Sequence, residues 1–104
     1  MASHDWHSLE TEADLQEAIL LSNQGPVILF KHSTRCSISA GAWQRMEQVD
    51  TSVYNIFLVD VIAHRPVSNT IEQRFGIRHE SPQAILLQGG EVVWAKSHYQ
   101  VGQP

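Results

Sequence analysis

Apolar positions along this chain fall into two rhythms, one with helical spacing and one of short unbroken runs. From Ser8 to about Leu21, Leu15, Ala18, Ile19 and Leu21 recur at helical spacing, with Glu10, Glu12 and Asp14 near the positive end and Ser8 or Thr11 as candidate N-cap, so the pattern predicts an amphipathic helix. Gly25-Pro26 stops it. Val27 to Lys31 is a short apolar run bounded by breakers, the signature of a strand buried on both faces. Ile38, Ala42, Met46 and Val49 then mark one face of a helix that starts at Cys36 and ends near Asp50-Thr51-Ser52. Asn55 to Val61 is a second buried strand.

A strand, a helix and a strand within about 35 residues form a βαβ unit, whose crossover sets the two strands parallel in one sheet. Pro66 suits the first turn of a third helix, with Val67, Ile71 and Phe75 as its stripe and Gly76 as its stop. Ser81-Pro82 precedes Ala84 to Gln88, and Gly89-Gly90 joins that run to Glu91 to Ala95, a β-hairpin with a primed turn. The expected architecture is an α/β fold: a four-stranded mixed sheet (βαβ unit, helix, β-hairpin) flanked by helices.

At 104 residues the chain holds one domain, spanning 1–104. No stretch approaches the roughly 20 apolar residues of a membrane span, so membrane insertion is not expected. A net charge of −4 supplies no basic footprint, so nucleic acid is not an expected partner. The start, Met1 to His7, lacks a basic stretch followed by an apolar one, and the single cysteine allows no internal disulfide. Both point to a cytoplasmic, reducing setting.

That cysteine, Cys36, lies where the first core strand ends and the next helix begins, at the carboxyl end of the sheet, where open α/β folds put their chemistry. A sulfur at a helix N-terminus faces unpaired backbone N–H groups and the positive end of the macrodipole, which favour thiolate over thiol. Arg35 beside it adds positive charge, or else is an exposed solvating residue. The competing reading of Cys36 is a small buried hydrophobe whose sulfur does nothing.

Six histidines, His4, His7, His32, His64, His79 and His98, raise a metal reading, but their spacings complete no zinc pattern and no metal is expected. Trp43 and Trp94 read as packing residues. His64-Arg65 reads as loop solvation leading into the Pro66 helix, with an anionic ligand as the alternative.

A cysteine at the start of the helix after the first core strand, a helix ending in Phe75-Gly76-Ile77-Arg78 and a Pro82 just before a hairpin resemble the thioredoxin fold over most of the chain. That resemblance implies a cis Pro82 beside the active-site sulfur and a Ser81 whose backbone N–H and C=O pair with substrate. The strings Phe30-Lys31-His32-Ser33-Thr34, Cys36-Ser37-Ile38-Ser39-Ala40, Arg65-Pro66-Val67-Ser68-Asn69, His79-Glu80-Ser81-Pro82-Gln83-Ala84 and Ser97-His98 are similar to the YtxJ-type monothiol bacilliredoxins.

The family implies a thiol-disulfide oxidoreductase that removes bacillithiol, a low-molecular-weight thiol, from S-bacillithiolated client proteins. Cys36 would be the nucleophile, with bacillithiol as co-substrate and no bound cofactor. Thr34, Ser81 and Pro82 would bind substrate, and Arg35 and Ser39 would stabilise the thiolate, Arg35 also attracting bacillithiol's carboxylates. Dithiol thioredoxins carry a resolving cysteine where Ser39 stands. Members usually have proline at Ser37, and their tail adds a short helix, whereas here only eight residues follow Lys96. A short or missing C-terminal helix leaves one sheet face to be covered by a homo-oligomer contact or marks a shortened chain. A glutathione-dependent, glutaredoxin-like reductase, a sulfenate-based peroxidase and a redox-inert adaptor on the same scaffold are the alternatives.

Overall fold

The computed structural model describes residues 5–35 and 37–103. Five strands form one sheet in the order β1-β3-β2-β4-β5. They are β1 (His7–Ser8), β2 (Val27–His32), β3 (Asn55–Asp60), β4 (Gln83–Gln88) and β5 (Glu91–Ser97), interleaved with α1 (Glu12–Leu21), α2 (Ser37–Met46) and α3 (Arg65–Phe75). β2 and β3 run parallel in the register Val27↔Asn55 to His32↔Asp60, as a βαβ crossover requires. β4 runs antiparallel to β2, with Lys31 opposite Gln83.

The central strands are buried on both faces, and their alternation divides the core. Val27 and Leu29 join Leu15, Ile19, Val67 and Ile71 on the α1/α3 side, while Ile28 and Phe30 join Ala42, Met46 and Leu86 on the α2 side. Each fully buried aliphatic or aromatic side chain contributes about 1.5–3 kcal/mol relative to exposure, so this double layer supplies the fold's main driving force.

The first helix begins later than its periodicity suggests. Ser8 is not in it: His7 and Ser8 pair with Phe57 and Leu58 as a fifth, edge strand, and the Leu9 N–H donates to the Leu58 carbonyl at 2.8 Å. Burial of Trp6 and Leu9 fixes this extended entry. The helix starts instead from a capping box, in which Thr11 Oγ1 accepts from the Asp14 N–H and the Asp14 carboxylate accepts from the Thr11 N–H. α3 opens at Arg65, with Pro66 in its first turn, and stops at Gly76. The hairpin turn at Gly89 and Gly90 has φ of 62° and 78°, the primed geometry that any side chain would strain.

The tail resolves the uncovered face. After β5 a short 3₁₀ turn, His98–Gln100, folds the chain back on α2, and Val101 is fully buried against Ile28, Met46 and Leu86. Arg45 fixes it, donating from Nε to the Val101 carbonyl at 2.6 Å and from Nη2 to the His98 carbonyl at 3.1 Å. The tail leaves a cavity of about 300 Å³ lined by Ile28, Met46, Val49, Tyr54, Trp94 and Gly102.

Candidate active site

Because Lys31 pairs with Gln83 in antiparallel register, the segments just beyond, 33–35 after one strand and 81–82 before the other, leave the sheet at the same end. Cys36, the expected nucleophile, lies outside the described residues. Its chain neighbours frame it: Arg35 ends the turn after β2, and Ser37 opens α2. Thr34 and Arg35 are both exposed. The Arg35 N–H donates to Ser33 Oγ at 3.3 Å, and the Ser33 N–H donates to Ser39 Oγ at 3.4 Å. Ser39 is fully buried, so its hydroxyl braces the loop from inside the first turn of α2.

The Ser81–Pro82 peptide is cis, as the resemblance implies. The Pro82 carbonyl accepts from the His98 N–H at 2.9 Å, which fixes one end of the turn. Among the described residues, neither the N–H nor the C=O of Ser81 has a backbone partner, and Ser81 Oγ is sealed from solvent without a hydrogen bond. A chain entering in extended form would find that N–H and C=O available for strand-like pairing.

A groove of about 400 Å³ runs from this loop along α2, lined by His32, Ser33, Thr34, Trp43, Gln44 and Glu47. Trp43 packs on Trp6, with ring centroids 4.8 Å apart, and on His32 at 4.7 Å, so it belongs to the α2-side core while its edge borders the groove. Burial holds the His32 pKa below its ordinary value, against an opposing pull from Asp60.

One polar cluster behind the site was not anticipated. Lys31 is fully buried, and its Nζ donates to the Ser68 carbonyl at 3.2 Å and lies 3.2 Å from His79 Nδ1. Ser68 Oγ lies 3.2 Å from the same Nδ1, and the His79 N–H donates to Glu72 Oε2 at 2.8 Å. An ammonium and a hydroxyl facing one ring nitrogen make Nδ1 the acceptor and His79 neutral. Burial pushes the Lys31 ammonium down to about 8, with Glu72 opposing, and burial together with the charges of Lys31 and Arg65 lowers His79. The period-2 pattern carries a signal for Lys31, which shares the face of Val27 and Leu29, whereas His79 has none.

His4 lies outside the described residues, and the other histidines do not converge. His64 precedes α3 with Nε2 3.6 Å from Glu10 Oε2, and Arg65 Nε donates to Asn69, so both are engaged within the chain. Among the described residues no group of three or more His, Cys, Asp or Glu could hold a metal ion, and no helix is long and apolar enough to cross a membrane.

Solved structures share this arrangement. A thioredoxin-fold protein to which an oxidoreductase role has been ascribed superposes with a TM-score of 0.84 at 25% identity, over 96% of this chain and 88% of its own. The thioredoxin of Trypanosoma brucei brucei gives 0.75 at 10% identity, covering 93% and 81%, and that of Fasciola hepatica 0.70 at 16%, covering 88% and 85%. The latter two speak for the fold alone. Sheet order, cis proline and a cysteine at the β2–α2 junction define the class: a thiol-disulfide oxidoreductase of thioredoxin fold. Within that class, residues 7–103 match the model of the monothiol bacilliredoxin BrxC, and the chain belongs to that family.

Proposed function

We propose that this protein strips bacillithiol from S-bacillithiolated client proteins by monothiol exchange at Cys36. The observation that carries the reading is the Ser81 backbone, unpartnered among the described residues, at the sheet end where the loop that leads to the single cysteine leaves β2, a docking edge for an extended client segment. The Cys36 thiolate attacks the bacillithiol sulfur of the mixed disulfide. A new S–S bond forms to Cys36, the old one breaks, and the client leaves as a thiolate that takes a proton from water. A second low-molecular-weight thiol then attacks the Cys36-bound disulfide and returns the Cys36 thiolate. With Ser39 in place of a resolving cysteine, no internal disulfide competes.

Arg35, exposed on the loop, supplies positive charge for the thiolate and for the carboxylates of bacillithiol, and Ser39 keeps a hydroxyl proton available to the sulfur. Thr34 borders the groove, which has room for the non-sulfur part of the small thiol. A cytoplasmic, reducing setting completes the reading.

Intact-mass spectrometry tests it. The protein is mixed with a client carrying either a bacillithiol or a glutathione disulfide, with Cys36→Ala as control. Transfer of bacillithiol to the wild type, with release of free client thiol, is the expected result. Preferential transfer of glutathione would replace the reading with a glutaredoxin-like one, and transfer from neither client would leave a redox-inert adaptor.

A further inference from the structure

We propose that Lys31 is a positioning residue for the exchange site, its buried ammonium tying the 79–82 turn to α3 and so setting where the Ser81–Pro82 peptide stands to receive a client backbone. The inference rests on the proposed thiol exchange and concerns how that site is held.

Lys31 does not earn its place by stability. It is fully buried with no carboxylate within hydrogen-bond distance, whereas a methionine would fill similar volume without taking a charge out of water. Its Nζ instead bridges two elements, the Ser68 carbonyl on α3 and the His79 ring at the start of the turn, and so adds a charged link beside the neutral ones between them.

The rest of the turn is held the same way. His79 is held again through Ser68 Oγ and, by its backbone N–H, through Glu72. Gln83, directly across the sheet from Lys31, donates from Nε2 to the Arg78 carbonyl at 3.0 Å, and the His98 N–H holds the Pro82 carbonyl. These bonds fix residues 78, 79, 82 and 83, leaving Glu80 and Ser81 with backbone groups that have no partner among the described residues. A docking edge of this kind works only if held before the client arrives, because ordering it on binding would subtract from affinity.

Lys31→Met is the test variant, with Lys31→Arg as a second that keeps the charge, and three readouts separate the outcomes. Amide exchange at His79 and His98, whose N–H groups are bonded to Glu72 and to the Pro82 carbonyl at the two ends of the turn, reports the turn directly and should speed up in Lys31→Met by about tenfold or more. KM for a peptide client in mixed disulfide with bacillithiol should rise about tenfold with kcat held, while the rate with 2-hydroxyethyl disulfide, which has no backbone to pair, stays within about twofold of wild type. Partial return of KM in Lys31→Arg is expected, with thermal stability of Lys31→Met equal to or above wild type.

Unchanged exchange at His79 and His98 overturns the proposal, as does equal loss on peptide and small disulfides, which would mean general damage at the site. A wild type inert toward every disulfide, with exchange of the turn still altered in Lys31→Met, would remove the proposed function while leaving the tether.

Discussion

The ring of His32 lies 4.7 Å from that of Trp43, tilted by 56°, and its Nδ1 is shut away from solvent with no hydrogen-bond partner among the described residues. The imidazole thus sits at the head of the groove in a site that resists a positive charge, and its pKa is lowered by burial. A base whose folded pKa lies below its unfolded value takes up protons more readily when unfolded, so it withdraws stability as pH falls below the unfolded value of 6.5. His79 acts with the same sign. The melting temperature should therefore fall between about pH 7 and pH 5, and His32→Phe, which keeps an aromatic ring against Trp43 and Phe30, should flatten part of that slope. Thermal melts across the range in both proteins check this; equal slopes would remove His32 as a source.

On the proposed mechanism, Ser39→Ala removes the hydroxyl proton three positions after the cysteine along with the acceptor of the Ser33 N–H. The Cys36 pKa, read from alkylation rate against pH, should rise, by about one unit for a hydrogen bond worth about 1.4 kcal/mol to the thiolate. Arg35→Ala should raise it less, because the side chain is exposed and screened. An unmoved midpoint in both variants would leave the helix N-terminus as the only source of activation.

Gly102 has φ of +80°, and a Cβ there would stand 2.6 Å from Arg45 Cβ and 3.0 Å from the Arg45 carbonyl carbon. Gly102→Ala should therefore cost about 1–3 kcal/mol in chemical denaturation through backbone strain and displacement of the tail from α2. Gly25→Ala, where a Cβ meets nothing, is the comparison and should change little.

Thr11→Ala deletes one half of the α1 capping box and should cost about 1 kcal/mol. The cap lies outside the groove and the 79–82 turn, so disulfide exchange at saturating substrate should be unchanged. A fall in kcat without a fall in stability would show that α1 reaches the site in a way its packing does not reveal.

The alternation of Val27 to Phe30, the four-residue spacing from Ile38 to Met46 and the Gly89-Gly90 turn were legible because each is a local rule with one structural solution. The cis Ser81–Pro82 peptide was legible only through family resemblance, since no spacing encodes an isomer. The β1 strand was not: His7 and Ser8 are ordinary polar residues whose extended state depends on Phe57 and Leu58, about fifty positions away. The Lys31–Ser68–His79 contact failed to appear for the same reason, because it joins three elements through side chains whose sequence neighbours give no hint of the meeting. The short C-terminal turn was legible from the few residues after Lys96, but the buried Val101 and the two bonds from Arg45 that seat it on α2 were not.

The sheet's two rims differ in what they offer to a passing strand. At one rim β1 is only two residues long, too few unpaired backbone groups to seed the addition of another chain. At the other, β5 exposes seven residues of backbone, interrupted by a register shift opposite Leu86 and Leu87 and bordered by Lys96, which reaches back to the Gln103 carbonyl at 2.8 Å. On the proposed mechanism, a protein that lets clients pair at Ser81 runs the risk of its own copies pairing elsewhere. The short rim, the broken register and the cationic border keep strand capture local to the site and guard the folded population against self-templated aggregation.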